Sequence, residues 1–174
     1  AHNGNLTNAL EVRRELVRRG CIFQSTMDSE VIVNLIATSS ASGFMNRLVD
    51  ALRQLQGAYS LIMLTDQAMI GVRDRFGVRP LTIGTLDGGT IITSESCALD
   101  IIGAKAVRDV EPGEVVVIDK TGMHSTMPFG SARSKFCIFE YIYFSRPDSV
   151  VEGRGVYTAR KRIGAELARE SGVP

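Results

Sequence analysis

The chain has 174 residues, enough for one domain or one domain and a stub. Its 44% hydrophobic and 22% charged content excludes a wholly disordered chain, and 20 Lys+Arg against 19 Asp+Glu exclude a large electrostatic footprint for nucleic acid or an anionic membrane. No apolar run reaches the length of a membrane span, no signal peptide is visible, and three scattered cysteines (Cys21, Cys97, Cys137) argue against a disulfide framework or a self-contained zinc site, so the expected setting is reducing and cytoplasmic.

Residues 1–6 read as a short strand or turn. Asn8, with Glu11 three residues on, is a capping-box signal for a helix that ends at Gly20. Cys21 to Phe23 reads as a short strand. Asp28 is a candidate N-cap for the run Val31 to Ala37, which is apolar all round and reads as a buried helix. After a linker at 39–43, Phe44, Leu48, Leu52 and Leu55 form the apolar stripe of a further helix.

From Gly57 the period changes to that of strands. Ala58 to Leu64 and Ala68 to Val72 flank Asp66-Gln67. Leu81 to Thr85 and Thr90 to Thr93 flank the hairpin pair Asp87-Gly88. Glu111-Pro112-Gly113-Glu114 has Pro and Gly placed for a type II turn. Val115 to Ile118 reads as a buried strand, followed by a turn at 120–122 and a strand near Met123. Pro128 to Ser134 is a loop. Phe136 to Phe144 is apolar and aromatic, with strand and helix both open. Val156, Ile163 and Leu167 share one face of a last helix. Helices first and antiparallel strands second predict an α+β fold, with helices covering sheet faces.

Four stretches could carry chemistry. In His2-Asn3-Gly4-Asn5 an Asn amide and a neighbouring Gly N–H can aim at one developing negative charge, although Asn-Gly is also an ordinary turn pair. In Ser25-Thr26-Met27-Asp28-Ser29-Glu30, Asp28 can cap a helix, hold an ammonium group, or both. The loop Gly71 to Leu81 holds two glycines, a proline and four charged residues, which suits either a solvated loop or a structured functional one. Phe139-Glu140-Tyr141-Ile142-Tyr143-Phe144 suits core, or an interface with a part of the protein outside this sequence. Phosphate-loop and nucleophile-elbow signatures are absent, and His2 and His124 are too few for a His-based metal site.

Together these stretches resemble the glutamine phosphoribosylpyrophosphate amidotransferase family. The likeness runs from His2-Asn3-Gly4-Asn5-Leu6-Thr7-Asn8-Ala9 through Ser94-Glu95-Ser96-Cys97-Ala98-Leu99-Asp100 and Val110-Glu111-Pro112-Gly113-Glu114 to Arg160. The first two stretches also resemble glucosamine-6-phosphate synthase, and Arg73-Asp74-Arg75-Phe76-Gly77 resembles asparagine synthetase. Cys137 to Ser149 is the discriminating stretch for the purine enzyme.

The resemblance implies an N-terminal-nucleophile hydrolase fold: α+β, two stacked antiparallel sheets between helix layers, incomplete here. It implies that an N-terminal cysteine thiolate attacks the amide of glutamine, with the free α-amino group as base. Asn3 (side-chain amide) and Gly4 (backbone N–H) would form the oxyanion hole; Asp28 and Gly4 would bind the substrate, with Asp28 holding the α-ammonium group of glutamine. Ammonia would then displace pyrophosphate from phosphoribosyl pyrophosphate, giving 5-phosphoribosylamine for purine biosynthesis.

Residues 1–135 are expected to be part of the glutaminase domain and 136–174 the connection into a phosphoribosyltransferase domain. The nucleophile and the Arg that binds the glutamine carboxylate are expected upstream of Ala1. On its own this stretch is therefore expected to be inactive and, with bare sheet edges, poorly stable. No cofactor is expected within it. The whole protein is expected to use Mg2+, in some members a [4Fe–4S] cluster for which Cys137 is a candidate ligand, and to form homo-oligomers. Two other readings remain: another glutamine amidotransferase of the glucosamine-6-phosphate synthase or asparagine synthetase type, or a non-catalytic binding module.

Overall fold

The computed structural model describes residues 1–130 and 132–172. Residue 131 of the expected 128–134 loop and the last two residues lie outside that range.

Strand β1 (His2–Leu6) leads into three helices, α1 (Ala9–Arg18), α2 (Asp28–Thr38) and α3 (Phe44–Arg53). Each helix buries the stripe set by its 3.6-residue period. Leu16 of α1 meets Val31 and Leu35 of α2 and Ala51 of α3. Leu48 and Leu52 of α3 and Ile32 of α2 turn instead to a sheet. Strands β2 (Gly57–Leu64) and β3 (Ala68–Arg73) follow, then β4 (Thr82–Leu86), β5 (Gly89–Thr93), the short helix α4 (Ser96–Ile101) and β6 (Lys105–Asp109). Strands β7 (Val115–Asp119) and β8 (Gly122–Thr126) complete the sheets. The chain ends with a single π-helical turn (Glu140–Phe144), a two-residue ribbon of β9 (Val150–Val151) and β10 (Arg154–Gly155), and helix α5 (Val156–Glu170).

The larger sheet is antiparallel with order β1-β2-β3-β7-β8, and the smaller has order β5-β4-β6. Side-chain alternation divides the larger sheet's residues between two cores. Leu6, Tyr59, Leu61, Ile70, Val72 and Val115 face α2 and α3. Ile62, Met69, Val116 and Ile118 face Ile83 and Ile92 of the second sheet and Leu81 and Val110, which flank its strands. Leu99 of α4 packs on Gly84, on the smaller sheet's outer side. This is the expected arrangement of two antiparallel sheets between helix layers.

The Asp87-Gly88 hairpin forms with both residues at positive φ, 49° and 80°. Pro112 and Gly113 make the expected type II turn, closed by Glu114 N–H donating to Glu111 C=O at 3.0 Å. The Glu114 side chain is buried and pinned there by the Arg108 fork at 2.8 and 2.7 Å and by the Glu111 N–H at 2.7 Å. Burial pushes this carboxyl up, but the fork and the N–H outweigh it and hold it below the usual carboxylate value.

Several expectations are corrected. The Asn8 side chain does not cap its helix. It bonds Gln54 C=O and Gln56 N–H instead, tying α1 to the end of α3. Residues 21–23 are not a strand: they find no ladder partner, and Cys21 and Phe23 pack on the helical core. Helix α2 is not buried all round, since Val33 is 64% exposed. Residues 136–144 are neither strand nor ordinary helix: 136–138 are irregular, and Glu140–Phe144 form a π turn. The aromatic run there is not core, because Phe139, Tyr143 and Phe144 are exposed. On the last helix only Val156 is buried, while Ile163 and Leu167 lie open. Helix α4 and strand β6 are elements that sequence reasoning missed.

Candidate active site

Strand β1 lies at an edge of the larger sheet, paired among the described residues only with β2. Its backbone alternation decides which amides are free. Ala1 C=O accepts from Ile62 N–H, and Thr7 N–H donates to Gln56 C=O, so the odd-numbered residues carry the ladder bonds. The even-numbered N–H groups point outward. One of these, Leu6 N–H, is taken by Asp28 Oδ2 at 3.1 Å. Gly4 N–H, two residues earlier, faces the same open side.

Gly4 itself is required by geometry. Its φ is +149°, and a Cβ there would lie 2.0 Å from Ala58 C=O oxygen. The backbones of β1 and β2 thus approach too closely for any side chain, and the site keeps a bare peptide at its edge.

Asp28 opens α2 but does not cap it; the N-cap position is Met27, with no side-chain bond. Its carboxylate turns to β1 instead. Besides Leu6 N–H, it reaches His2 Nδ1 at 3.4 Å. The preceding loop is held by Glu30, whose carboxylate accepts from Gln24 N–H at 2.7 Å, Ser25 N–H at 2.9 Å and Ser25 Oγ at 2.7 Å. The Gln24 N–H and then the Ser25 hydroxyl hold the Glu30 carboxyl below its usual range. His2, Gly4, Met27 and Asp28 line one hollow of about 420 Å³.

The Asn3 side chain projects to the opposite face from His2 and Gly4, as strand alternation requires. It lines a smaller hollow of about 140 Å³ with His2, Ser60, Leu81 and Ser94. There Arg79 Nε and Nη2 donate to Asn3 Oδ1 at 3.2 and 2.9 Å. Asn3 and Gly4 are therefore neighbours at one edge, each with a donor not used by the fold, while Asp28 stands on the helix side of that edge. Among the described residues no cysteine lines either hollow.

The 71–81 loop is not a solvated charged loop. Arg73 is buried and donates to Arg79 C=O at 2.9 Å, Val110 C=O at 2.7 Å, Gly77 C=O at 3.0 Å and Glu152 Oε1 at 2.6 Å. Asp74 is buried too, and accepts from the N–H groups of Phe76, Val78 and Tyr59. Burial raises the Asp74 carboxyl, although these N–H groups pull the other way. Burial first, and then the Asp74 charge, push the Tyr59 phenol far above its usual value. The loop is a rigid strut that delivers Arg79 to Asn3.

Cys137 is half-buried, and its N–H donates to Val78 C=O at 3.3 Å. Among the described residues no group of three or more His, Cys, Asp or Glu is placed to hold a metal. Cys137 thus fits an iron–sulfur cluster only as a single ligand, with the others drawn from outside the described residues. Sequence reasoning also missed Arg79, Glu140 and the His2–Asp28 contact. Arg79 stood in a marked loop and Glu140 in a marked run, but no signal linked either to Asn3.

A sequence model of the glutamine amidotransferase domain family matches residues 1–100. The chain is 49% identical to an amidophosphoribosyltransferase of Rhizobium etli, over 99% of this chain and 36% of that protein. It superposes on a solved structure of the glutamine phosphoribosylpyrophosphate amidotransferase from B. subtilis complexed with ADP and GMP. That match has a TM-score of 0.96 and 42% identity, covering 100% of this chain and 38% of the other. A class-II glutamine aminotransferase domain protein from Silicibacter pomeroyi shares the fold at a TM-score of 0.54 and 14% identity, over 75% of this chain and 65% of its own. The chain spans about a third of the length of the curated relatives it matches. No described helix is long and apolar enough to cross a membrane.

Proposed function

Because this chain belongs to the glutamine amidotransferase family, we propose that the outer edge of β1 is the oxyanion-binding side of a glutaminase site in a longer amidophosphoribosyltransferase. The observation that carries this reading is the pair of unused donors at adjacent residues. Gly4 N–H points out of the ladder, and the Asn3 amide offers its NH2 because its oxygen is already engaged by Arg79.

The chemistry follows from that edge. A cysteine thiolate from elsewhere in the protein attacks the side-chain amide carbon of glutamine. The carbonyl oxygen becomes an oxyanion, and the donors of Asn3 and Gly4 are fixed before that charge appears, so little reorganisation is needed. Collapse of the adduct, with the α-amino group of the nucleophile passing a proton to the departing nitrogen, expels ammonia and leaves a thioester, which water hydrolyses to glutamate with return of the thiolate. Asp28, with Oδ2 on Leu6 N–H and Oδ1 3.4 Å from His2 Nδ1, presents the remaining open side of its carboxylate to the substrate's α-ammonium group. The released ammonia displaces pyrophosphate from phosphoribosyl pyrophosphate on a transferase domain, giving 5-phosphoribosylamine. Residues 1–135 form the glutaminase part, and 136–174 lead into the transferase domain. Cys137 would supply one thiolate to a cluster, and no step here passes through it. On this reading the described residues at the β1 edge bind the substrate and stabilise the oxyanion, and the thiolate comes from outside the two hollows.

The test is Asn3→Ala in the full-length protein. Glutamine hydrolysis is expected to fall in kcat by about 10²–10³-fold, the usual cost of one oxyanion donor. Synthesis of phosphoribosylamine from free ammonia should be unchanged. Retention of full glutamine-dependent kcat would remove Asn3 from the oxyanion site.

A further inference from the structure

The amidotransferase chemistry uses Asn3 but assigns nothing to the side chain that holds it. A guanidinium has donors and no acceptor, so the Asn3 oxygen must face Arg79 and the NH2 must face away. Without such a partner, a terminal amide can exchange its two ends by rotation about χ2, a broad and roughly two-fold torsion. With the oxygen outward, it would repel the charge it is meant to stabilise.

Arg79 is itself held on several sides. Its Nη1 forms an ion pair with Glu140 Oε1 at 2.8 Å, and its guanidinium lies over the Phe144 ring, 4.5 Å from the centroid. Its C=O accepts from Arg73 Nε at 2.9 Å and from Ser60 Oγ at 3.2 Å. Glu140 is 2% exposed, and its second oxygen accepts from Ser145 Oγ at 2.6 Å. A carboxylate this buried is costly unless paired, and Arg79 is the pairing cation.

We propose that Arg79 is a positioning residue for glutamine hydrolysis: its donor fork locks the Asn3 amide with the NH2 toward the oxyanion, and Glu140 locks the fork. The inference rests on the oxyanion reading of Asn3 and deepens it. A freely turning amide alone would halve the productive population, and the lost aim and polarisation add to that. The expected loss is about tenfold in kcat, well below deletion of the donor itself.

The experiment uses the full-length protein with Arg79→Gln, Arg79→Lys and Glu140→Gln. Three quantities are read: kcat and KM for glutamine, affinity for the glutamine analogue in which an aldehyde replaces the amide, and affinity for glutamate. The aldehyde forms a tetrahedral adduct with an oxyanion, and glutamate does not. Both Arg79 variants should lose about tenfold in kcat and in aldehyde affinity, with KM and glutamate affinity within about twofold. Lysine keeps the charge beside Glu140 but cannot offer a planar fork to two partners, so it should not rescue. Glu140→Gln should shift the same quantities in the same direction by less.

Unchanged kcat in a folded Arg79 variant overturns the proposal. So does rescue by lysine, or an equal loss of aldehyde and glutamate affinity. Should Arg79→Gln fail to fold, as judged by its circular dichroism, Arg79→Lys decides. If instead Asn3→Ala retains full activity, the oxyanion reading beneath has failed, which is a separate outcome.

Discussion

Gly4→Ala is expected to destabilise the protein by about 3–5 kcal/mol, at the extreme end for one methyl group. Two costs coincide. The residue sits at φ +149°, a conformation that L side chains rarely adopt. Its new Cβ would also meet Ala58 C=O oxygen at 2.0 Å, Ala58 carbonyl carbon at 2.8 Å and Tyr59 Cα at 2.9 Å. All three are backbone atoms of the neighbouring strand, so no rotamer change relieves the clash. Relief requires β1 to lift off β2, which undoes the register from His2↔Leu61 to Leu6↔Gly57 and removes Leu6 from the core. Gly20→Ala is the control. Gly20 also has positive φ, +91°, but nothing lies within 4 Å of its Cβ position, so only the backbone strain of about 1 kcal/mol remains. Urea unfolding of both variants measures the difference; equal midpoints would mean that the close strand approach carries no energy.

The second large effect is expected at Arg73. This side chain is 2% exposed, yet all of its bonds are local to one junction: the 74–80 turn, the end of β6 and the β9–β10 ribbon. Arg73→Leu fills much of the volume but leaves the carbonyls of Val110 and Gly77 without their donor, that of Arg79 with only Ser60 Oγ, and Glu152 without its cation. Buried acceptors left without this donor put the loss at about 3–5 kcal/mol, to which the exposed Glu152 adds little. Arg73→Lys should recover little, because one ammonium cannot span four acceptors held in the plane of a fork. Thermal melts measure the loss, and limited proteolysis should find new cleavage around 75–80 and 150–155. An Arg73→Leu variant within about 1 kcal/mol of the parent would show that water replaces the guanidinium at no cost.

Much of the fold could be read locally. The stripe Leu48–Leu52, the Asp87-Gly88 pair and the Pro112-Gly113 turn each announce their structure within a few residues, because helix period and turn chemistry are short-range. The errors lie where a side chain answers to a distant partner. Asn8 has the sequence of a cap but bonds a segment more than forty residues away. Asp28 likewise abandons its own helix for Leu6, 22 residues earlier. Helix α4 and strand β6 are short, and their shape is set by docking on Gly84 and Ile83 rather than by propensity. Of the site, Asn3, Gly4 and Asp28 were marked by residue type and by resemblance. Arg79 was not, since a bond across 76 residues leaves no spacing to recognise.

The interleaving of the two sheets bears on how the chain reaches this state. The whole of the small sheet, β4 to β6, lies in sequence between β3 and β7, which are neighbours in the large one. The β3–β7 seam must therefore close a long loop, and that search is slow while the loop is floppy. The β4–β5 hairpin needs no such search and forms on a scale of about microseconds. Once it has recruited β6, the bonds from Val110 N–H to Leu81 C=O and from Arg73 to Val110 C=O bring the loop's ends together. The insertion then acts as an internal template. Mutations in the hairpin should slow refolding, those in the β3–β7 seam should mainly speed unfolding, and the reverse assignment in φ-value measurements would discard this order.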